Sequence, residues 1–228
     1  VRAVRARTPD LDGYVEHRGV KVGYEVFGEG TPTVLLLPTW TIVHSRFWKA
    51  QVPYLADHFR VVSFDRPGNG RADRSLDPDA YSVDTVAALA LSVMDATGTQ
   101  QAVLVSLSQG AQEATKLAAD HADRVLGAVF VGPALPIEPG HPERVAAAER
   151  FFEPTPPEPE GWEQLNAQHW TEHYEDFAEF FFSECFPEPH STKQREDCVG
   201  WALETTPEVL LTDAQAIVGP AEARGWAG

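Results

Sequence analysis

The chain has 228 residues, 43% of them hydrophobic, which is enough to bury one sizeable core. A formal net charge of -16 and a pI of about 4.8 produce a field that repels phosphate backbones and anionic headgroups, so neither nucleic acid nor an acidic membrane surface is an expected partner. No apolar run approaches the roughly 20 residues of a spanning helix, and Val1 to Arg7 have no apolar core behind them of the kind a secretory signal needs. The two cysteines, Cys185 and Cys198, are too few for a disulfide framework and lack zinc-ligand pairing, so they read as buried thiols of a cytoplasmic protein.

In chain order, Val15 to Phe27 reads as two short strands around Arg18-Gly19, followed by a turn at Gly28-Glu29-Gly30-Thr31-Pro32. Thr33 to Leu37 is a continuous apolar run, the signature of a strand covered on both faces. Trp48, Val52, Leu55 and Phe59 suit a short helix or turn, and Arg60 to Phe64 forms the next buried strand. The glycine-punctuated loop Asp65-Arg66-Pro67-Gly68-Asn69-Gly70 comes after it. From Ser82, an N-cap residue, apolar positions keep helical spacing through Met94 until Gly98 stops the helix. Ala102 to Val105 then predicts a strand, Gln109 to Asp120 a helix and Leu126 to Val131 a strand, an alternation that argues for a parallel α/β sheet. After Gly132-Pro133 proline-rich stretches alternate with helical periodicity. Between Phe151 and His190 acids and aromatics alternate without a lysine or arginine, which reads as a solvated acidic face over an aromatic core, with some rings roofing an apolar pocket.

The chemistry concentrates at Ser106-Leu107-Ser108-Gln109-Gly110, set between a buried strand and a helix start. A serine hydroxyl becomes a useful nucleophile when a sharp turn lifts it out beside a base, at the positive end of a helix, and small flanking residues let the strained turn pack. As a bare pattern the segment would serve equally as a helix N-cap. In its context it resembles the nucleophile elbow of the α/β-hydrolase fold, with Ser106 where the G-x-S-x-G pattern has its first glycine. The following run, helix Ala111 to Asp120, His121 to Val125, strand Leu126 to Val131, is similar to that family's as well. The family commonly carries a His-Gly-x turn after the strand equivalent to Val34–Leu37; here Pro38-Thr39-Trp40 replaces it. The loop from Asp65 to Asp73 looks like the family's D-x-x-G-x-G-x-S-D segment, with Ala72 in place of the serine, and reads as support for the sheet edge.

The resemblance implies a mainly parallel α/β-hydrolase sheet with an inserted helical cap: residues 1–133 as the front of the core, 134–217 as the cap and 218–228 as the start of a further core segment. It implies Ser108 as nucleophile, the backbone N–H groups of Trp40 and Gln109 as the oxyanion hole, and Ser106 and Gly110 as elbow support. A serine rather than an aspartate at the elbow points to esters, thioesters, lactones or similar small apolar carbonyl substrates, with no metal and no organic cofactor. The family places its acid and its histidine on later loops, in the order serine, acid, histidine. Here the last histidine is His190 and the last aspartate Asp213, both within the expected cap. About two strand-helix units, on the order of 60 residues, are therefore expected to be lacking. The sheet is expected to be incomplete on its C-terminal side, with an oligomer or partner covering the open edge. His44 is placed at the pocket mouth as a loop residue or substrate contact. Two rivals stand beside this reading: a non-catalytic protein of the same fold that binds a small ligand, and a zinc hydrolase using His169, Glu172 and His173, which match H-x-x-E-H but lack a third ligand.

Overall fold

The computed structural model of the chain describes residues 7–137, 140–216 and 225. The expected core segment at 218–228 therefore lies outside the described residues, apart from residue 225. Six strands form one sheet: β1 (Leu11–His17), β2 (Val20–Phe27), β3 (Thr33–Leu36), β4 (Arg60–Phe64), β5 (Ala102–Leu107) and β6 (Val125–Val131), in the spatial order β1-β2-β4-β3-β5-β6. β1 and β2 make an antiparallel hairpin and β2 runs antiparallel to β4, whereas β4, β3, β5 and β6 are mutually parallel neighbours. The hairpin turns at Arg18 and Gly19, both with positive φ, the twist a two-residue hairpin requires.

The apolar run of β3 sits at the centre of the sheet. Its side chains divide with period two: Leu35 and Leu37 join one core cluster, Val34 and Leu36 the other. The first cluster is closed by α2 (Val83–Ala96), which Ser82 caps by accepting a hydrogen bond from Thr85 N at 3.2 Å, and by α3 (Gly110–Asp120). The second is closed by α1 (Val52–Leu55) and Trp48, whose indole N–H donates to Leu37 O at 3.1 Å.

A third cluster is built around α5 (Ala167–Cys185) and α6 (Thr192–Ala202), packed on Ile42 and Val43 from the loop that leaves β3. Along α5 Trp170, Tyr174, Phe177, Ala178 and Phe182 are buried while Glu172, Glu175, Asp176 and Glu179 are exposed, so the acidic run is a solvated face over aromatics. α4 (Pro142–Glu149) precedes this layer, and α7 (Pro207–Asp213) ends it. α7 straddles two clusters: Val209 packs into the sheet-side core and Leu210 into the aromatic one. Among the described residues no helix is long and apolar enough to cross a membrane.

The loop from Asp65 to Asp73 does more than support an edge. Asp65 accepts from Ser45 N and Arg71 N, both at 2.9 Å, Asp73 accepts from Lys21 N at 2.9 Å, and Asn69 donates to Thr41 O and to Trp201 O, both at 3.1 Å. It thereby ties β2, the loop after β3 and α6 into one unit. β6, by contrast, pairs only with β5 among the described residues, and Leu126, Val129, Phe130 and Val131 on it are exposed, so the sheet is open on this side. The sequence reading of two buried thiols holds for Cys198 and not for Cys185, which is exposed at the end of α5.

Candidate active site

β5 ends at Leu107 and α3 begins at Gly110, leaving two residues to reverse the chain. Ser108 takes up the strain with φ of 51°, a left-handed backbone that a non-glycine residue adopts at a cost of about 1–3 kcal/mol and keeps only where its surroundings enforce it. They do so here with three hydrogen bonds: Ser108 N donates to Val131 O at 3.0 Å, and Ser108 O accepts from Ala111 N at 3.1 Å and Ala134 N at 3.0 Å. Ser106 is fully buried beneath the turn, its Oγ donating to Val129 O at 3.4 Å. Gly110 is buried too, and a Cβ there would collide with the backbone carbonyl of Pro38.

That close approach brings the loop after β3 against the start of α3. Trp40 and Gln109 both line a cavity of about 880 Å³ that also contains Ser108. No acceptor among the described residues takes a hydrogen bond from the backbone N–H of either. The cavity walls are mainly apolar and include a cluster of aromatic rings. Trp40 meets Trp170 and Phe181 with ring centroids 5.8 and 5.3 Å apart, and Trp170 in turn packs on Phe151 at 4.8 Å. Cys198 also lines it, and burial pushes its thiol up to about 12, which keeps it protonated and inert. A second cavity of about 430 Å³, walled by Glu143, Glu153, Glu160 and Glu163 among others, lies away from Ser108 between α4 and the segment preceding α5.

His44 does not reach the mouth of the main cavity. It is 4% exposed, stacks on Trp201 with centroids 5.3 Å apart and places Nε2 3.5 Å from Glu204 Oε2, while Nδ1 accepts from Arg46 N at 3.4 Å. Burial lowers its pKa, against the opposing pull of Asp65 and Glu204. The unfolded chain therefore binds the proton more readily, and His44 contributes stability above the ordinary histidine value that is lost as pH falls below it. Urea midpoints measured between pH 8 and pH 5 should decline on the acid side, and His44→Gln should flatten that decline. An unchanged slope would show that other groups set it.

His169 and His173 lie one turn apart on α5 with ring centroids at 5.4 Å, but His169 is buried, His173 is exposed and the backbone is non-helical at His173. Glu172 is engaged by the side chain of Gln168 at 3.2 Å. Among the described residues no group of three or more His, Cys, Asp or Glu side chains is placed to hold a metal ion, so the H-x-x-E-H pattern does not form a centre.

One buried ionic group escaped sequence reasoning. Arg66 and Glu113 are fully buried and paired through Arg66 Nη1, Arg66 Nη2 donates to Tyr81 O at 2.9 Å, and Asp213 Oδ1 lies 3.9 Å from that same Nη2. Asp213, only 3% exposed, lines the main cavity, and burial raises its pKa despite Arg66. On sequence Asp213 belonged to the helical insertion; in the structure its carboxyl faces the buried arginine of the core.

The comparisons agree with this architecture. A protein of Caulobacter segnis, named "Putative carbamate hydrolase RutD", is 36% identical over 104 residues, 45% of this chain and 39% of that protein, so the aligned stretch spans well under half of the curated relative. The enol-lactonase of Burkholderia xenovorans LB400 superposes with a TM-score of 0.70 at 21% identity, covering 94% of this chain and 86% of the other. The bromoperoxidase of Bacillus anthracis gives a TM-score of 0.73 at 21% identity, covering 95% and 78%. At such identities these two likenesses speak for the fold alone. The family model described as the alpha/beta hydrolase fold matches residues 32–192, which run from the start of β3 through the elbow and into the helical layer; with that span and the open, mostly parallel six-stranded sheet, the chain belongs to the alpha/beta hydrolase fold family.

Proposed function

We propose that this hydrolase-family chain binds a small, largely apolar carbonyl compound and presents Ser108 to it as the nucleophile of acyl hydrolysis. The observation that carries the reading is the strained φ of Ser108 at the strand-to-helix turn, held by three backbone hydrogen bonds inside an aromatic cavity. Strain maintained at such cost marks a residue whose position matters. In this reading Ser108 Oγ attacks the carbonyl carbon, and the N–H groups of Trp40 and Gln109 receive the negative charge that develops on the oxygen. The helices α4–α7 act as a cap that excludes water from the apolar part of the substrate. The relative named as a carbamate hydrolase carries, in its name, a substrate with a carbonyl.

Catalysis of this kind also needs a base. All eight histidines of the sequence lie among the described residues, and none lines the cavity with Ser108. That favours a second reading in which the chain alone binds its ligand and turns it over weakly. An elbow with its oxyanion donors retains roughly 10³–10⁴ over water, about 10⁶ below an intact triad in the best-studied case.

A fluorophosphonate probe tests the assignment, because it reacts with a serine poised beside oxyanion donors. Slow labelling located by mass spectrometry at Ser108 and abolished in Ser108→Ala is expected. Labelling that persists in Ser108→Ala would refute it, and ligand binding without any labelling would favour the binding reading.

A further inference from the structure

Several polar groups around the main cavity already have partners. Lys49 and Asp197 pair with each other, Tyr81 donates to Ser75 O at 2.6 Å, and Gln112 donates to Ala134 O at 3.0 Å. Asp213 differs. Its side chain is all but inaccessible, it lines the cavity, and its Oδ2 has no hydrogen-bond partner among the described residues.

Arg66 does not supply that partner. Its Nη1 is spent on Glu113 and its Nη2 on Tyr81 O, and the 3.9 Å from Nη2 to Asp213 Oδ1 is beyond hydrogen-bond length. The side chains of Thr41 and Trp40 both face the same carboxyl and favour its ionised form, yet Asp213 Oδ2 takes a hydrogen bond from neither, and Thr41 Oγ1 is itself unpartnered. Leaving a buried carboxylate oxygen without a donor is costly, and buried polar atoms in native proteins nearly always have one. A donor brought by the occupant of the cavity removes that cost.

We infer that Asp213 is the specificity-determining residue of the cavity, accepting a hydrogen bond from an N–H or O–H group on the ligand, so that the site selects compounds with an apolar body and one such donor over equally apolar compounds without one. The volume suits a compound of that kind, and Trp40, Phe151, Trp170 and Phe181 offer surface for its apolar part. The inference rests on the cavity being the substrate site proposed above and adds the polar group it reads.

Octanamide and N,N-dimethyloctanamide share an apolar chain and a carbonyl, and only the first has N–H donors. Their binding can be read from tryptophan fluorescence, since Trp40, Trp170 and Trp201 line the cavity. Measured in Ser108→Ala protein, which removes any turnover, octanamide should bind about tenfold or more tightly, the usual effect of a hydrogen bond to a charged acceptor. Asp213→Leu should bring the two probes to near parity, with an unchanged circular dichroism spectrum showing that it folds. Asp213→Asn, which keeps an acceptor oxygen, should retain part of the preference. Equal binding in the parent protein, a preference that survives Asp213→Leu, or no binding of either probe would overturn the inference. Because the readout is binding, failure here is separable from failure of Ser108 to label.

Discussion

Replacing Glu113 by leucine is expected to bring the protein close to unfolding at room temperature. Glu113 and Arg66 are both fully buried, and removing one partner leaves a guanidinium in the core with only Tyr81 O and the more distant Asp213 to offset its charge. Breaking such a pair costs about 3–5 kcal/mol, against a total stability that for ordinary domains is roughly 5–15 kcal/mol. The pair itself is another matter. A matched apolar replacement is often neutral or stabilising, so Arg66→Met combined with Glu113→Leu should recover most of the loss. Asp213 then loses its one nearby cation, and adding Asp213→Asn should raise the urea midpoint further. The idea fails if the double variant is no more stable than Glu113→Leu alone, for the penalty would then not come from a stranded charge.

The succession of strands and helices along the chain was legible because each strand of the parallel region is a short apolar run, and α2 for one has its own start and stop signals. Ser82 and Gly98 bracket α2, and Thr33 to Leu37 became the central strand, covered on both faces as its unbroken hydrophobicity implied. β1 begins at Leu11, earlier than its pattern suggested, because an exposed edge strand has no buried face to declare it. The identity of β6 was readable but its exposure was not a local property. Its residues are as apolar as those of a central strand, and only the sheet order places them at an open edge.

At the candidate site, the sharp turn at Ser108 was visible because a strained turn between strand and helix demands small neighbours, and that demand is written in consecutive residues. The proposed contribution of Trp40 N–H rests on position after β3 alone, since a backbone donor leaves no side-chain signature. Arg66 and Asp213 could not be joined in advance. They are 147 positions apart, and a buried ionic group is recognised by what surrounds it, which a linear pattern of charged residues does not encode. His44 shows the same limit from the other side: its place after the loop that carries Trp40 suggested the cavity mouth, whereas Trp201 and Glu204, from α6 and the turn beyond it, draw the ring away and bury it.

Gly110→Ala isolates the geometry of the elbow. In an unconstrained helix the change should stabilise, since alanine is favoured over glycine by about 1 kcal/mol. Here the added methyl group meets the carbonyl of Pro38, a backbone atom that yields only if the loop carrying Trp40 moves. Overpacking of this kind costs about 1–3 kcal/mol, so the steric term wins and the sign reverses. Gly127→Ala in β6 is the matched control: nothing lies within 4 Å of its added Cβ, and its urea midpoint should change by no more than about 0.5 kcal/mol equivalent. The displaced loop should also carry Trp40 N–H out of line with Ser108, so fluorophosphonate labelling of Gly110→Ala should slow even at temperatures where the variant remains folded. Equal midpoints for the two alanine variants would show that α3 and the loop after β3 do not press on one another, while a destabilised variant that labels at the parent rate would show that Trp40 takes no part in receiving the oxyanion.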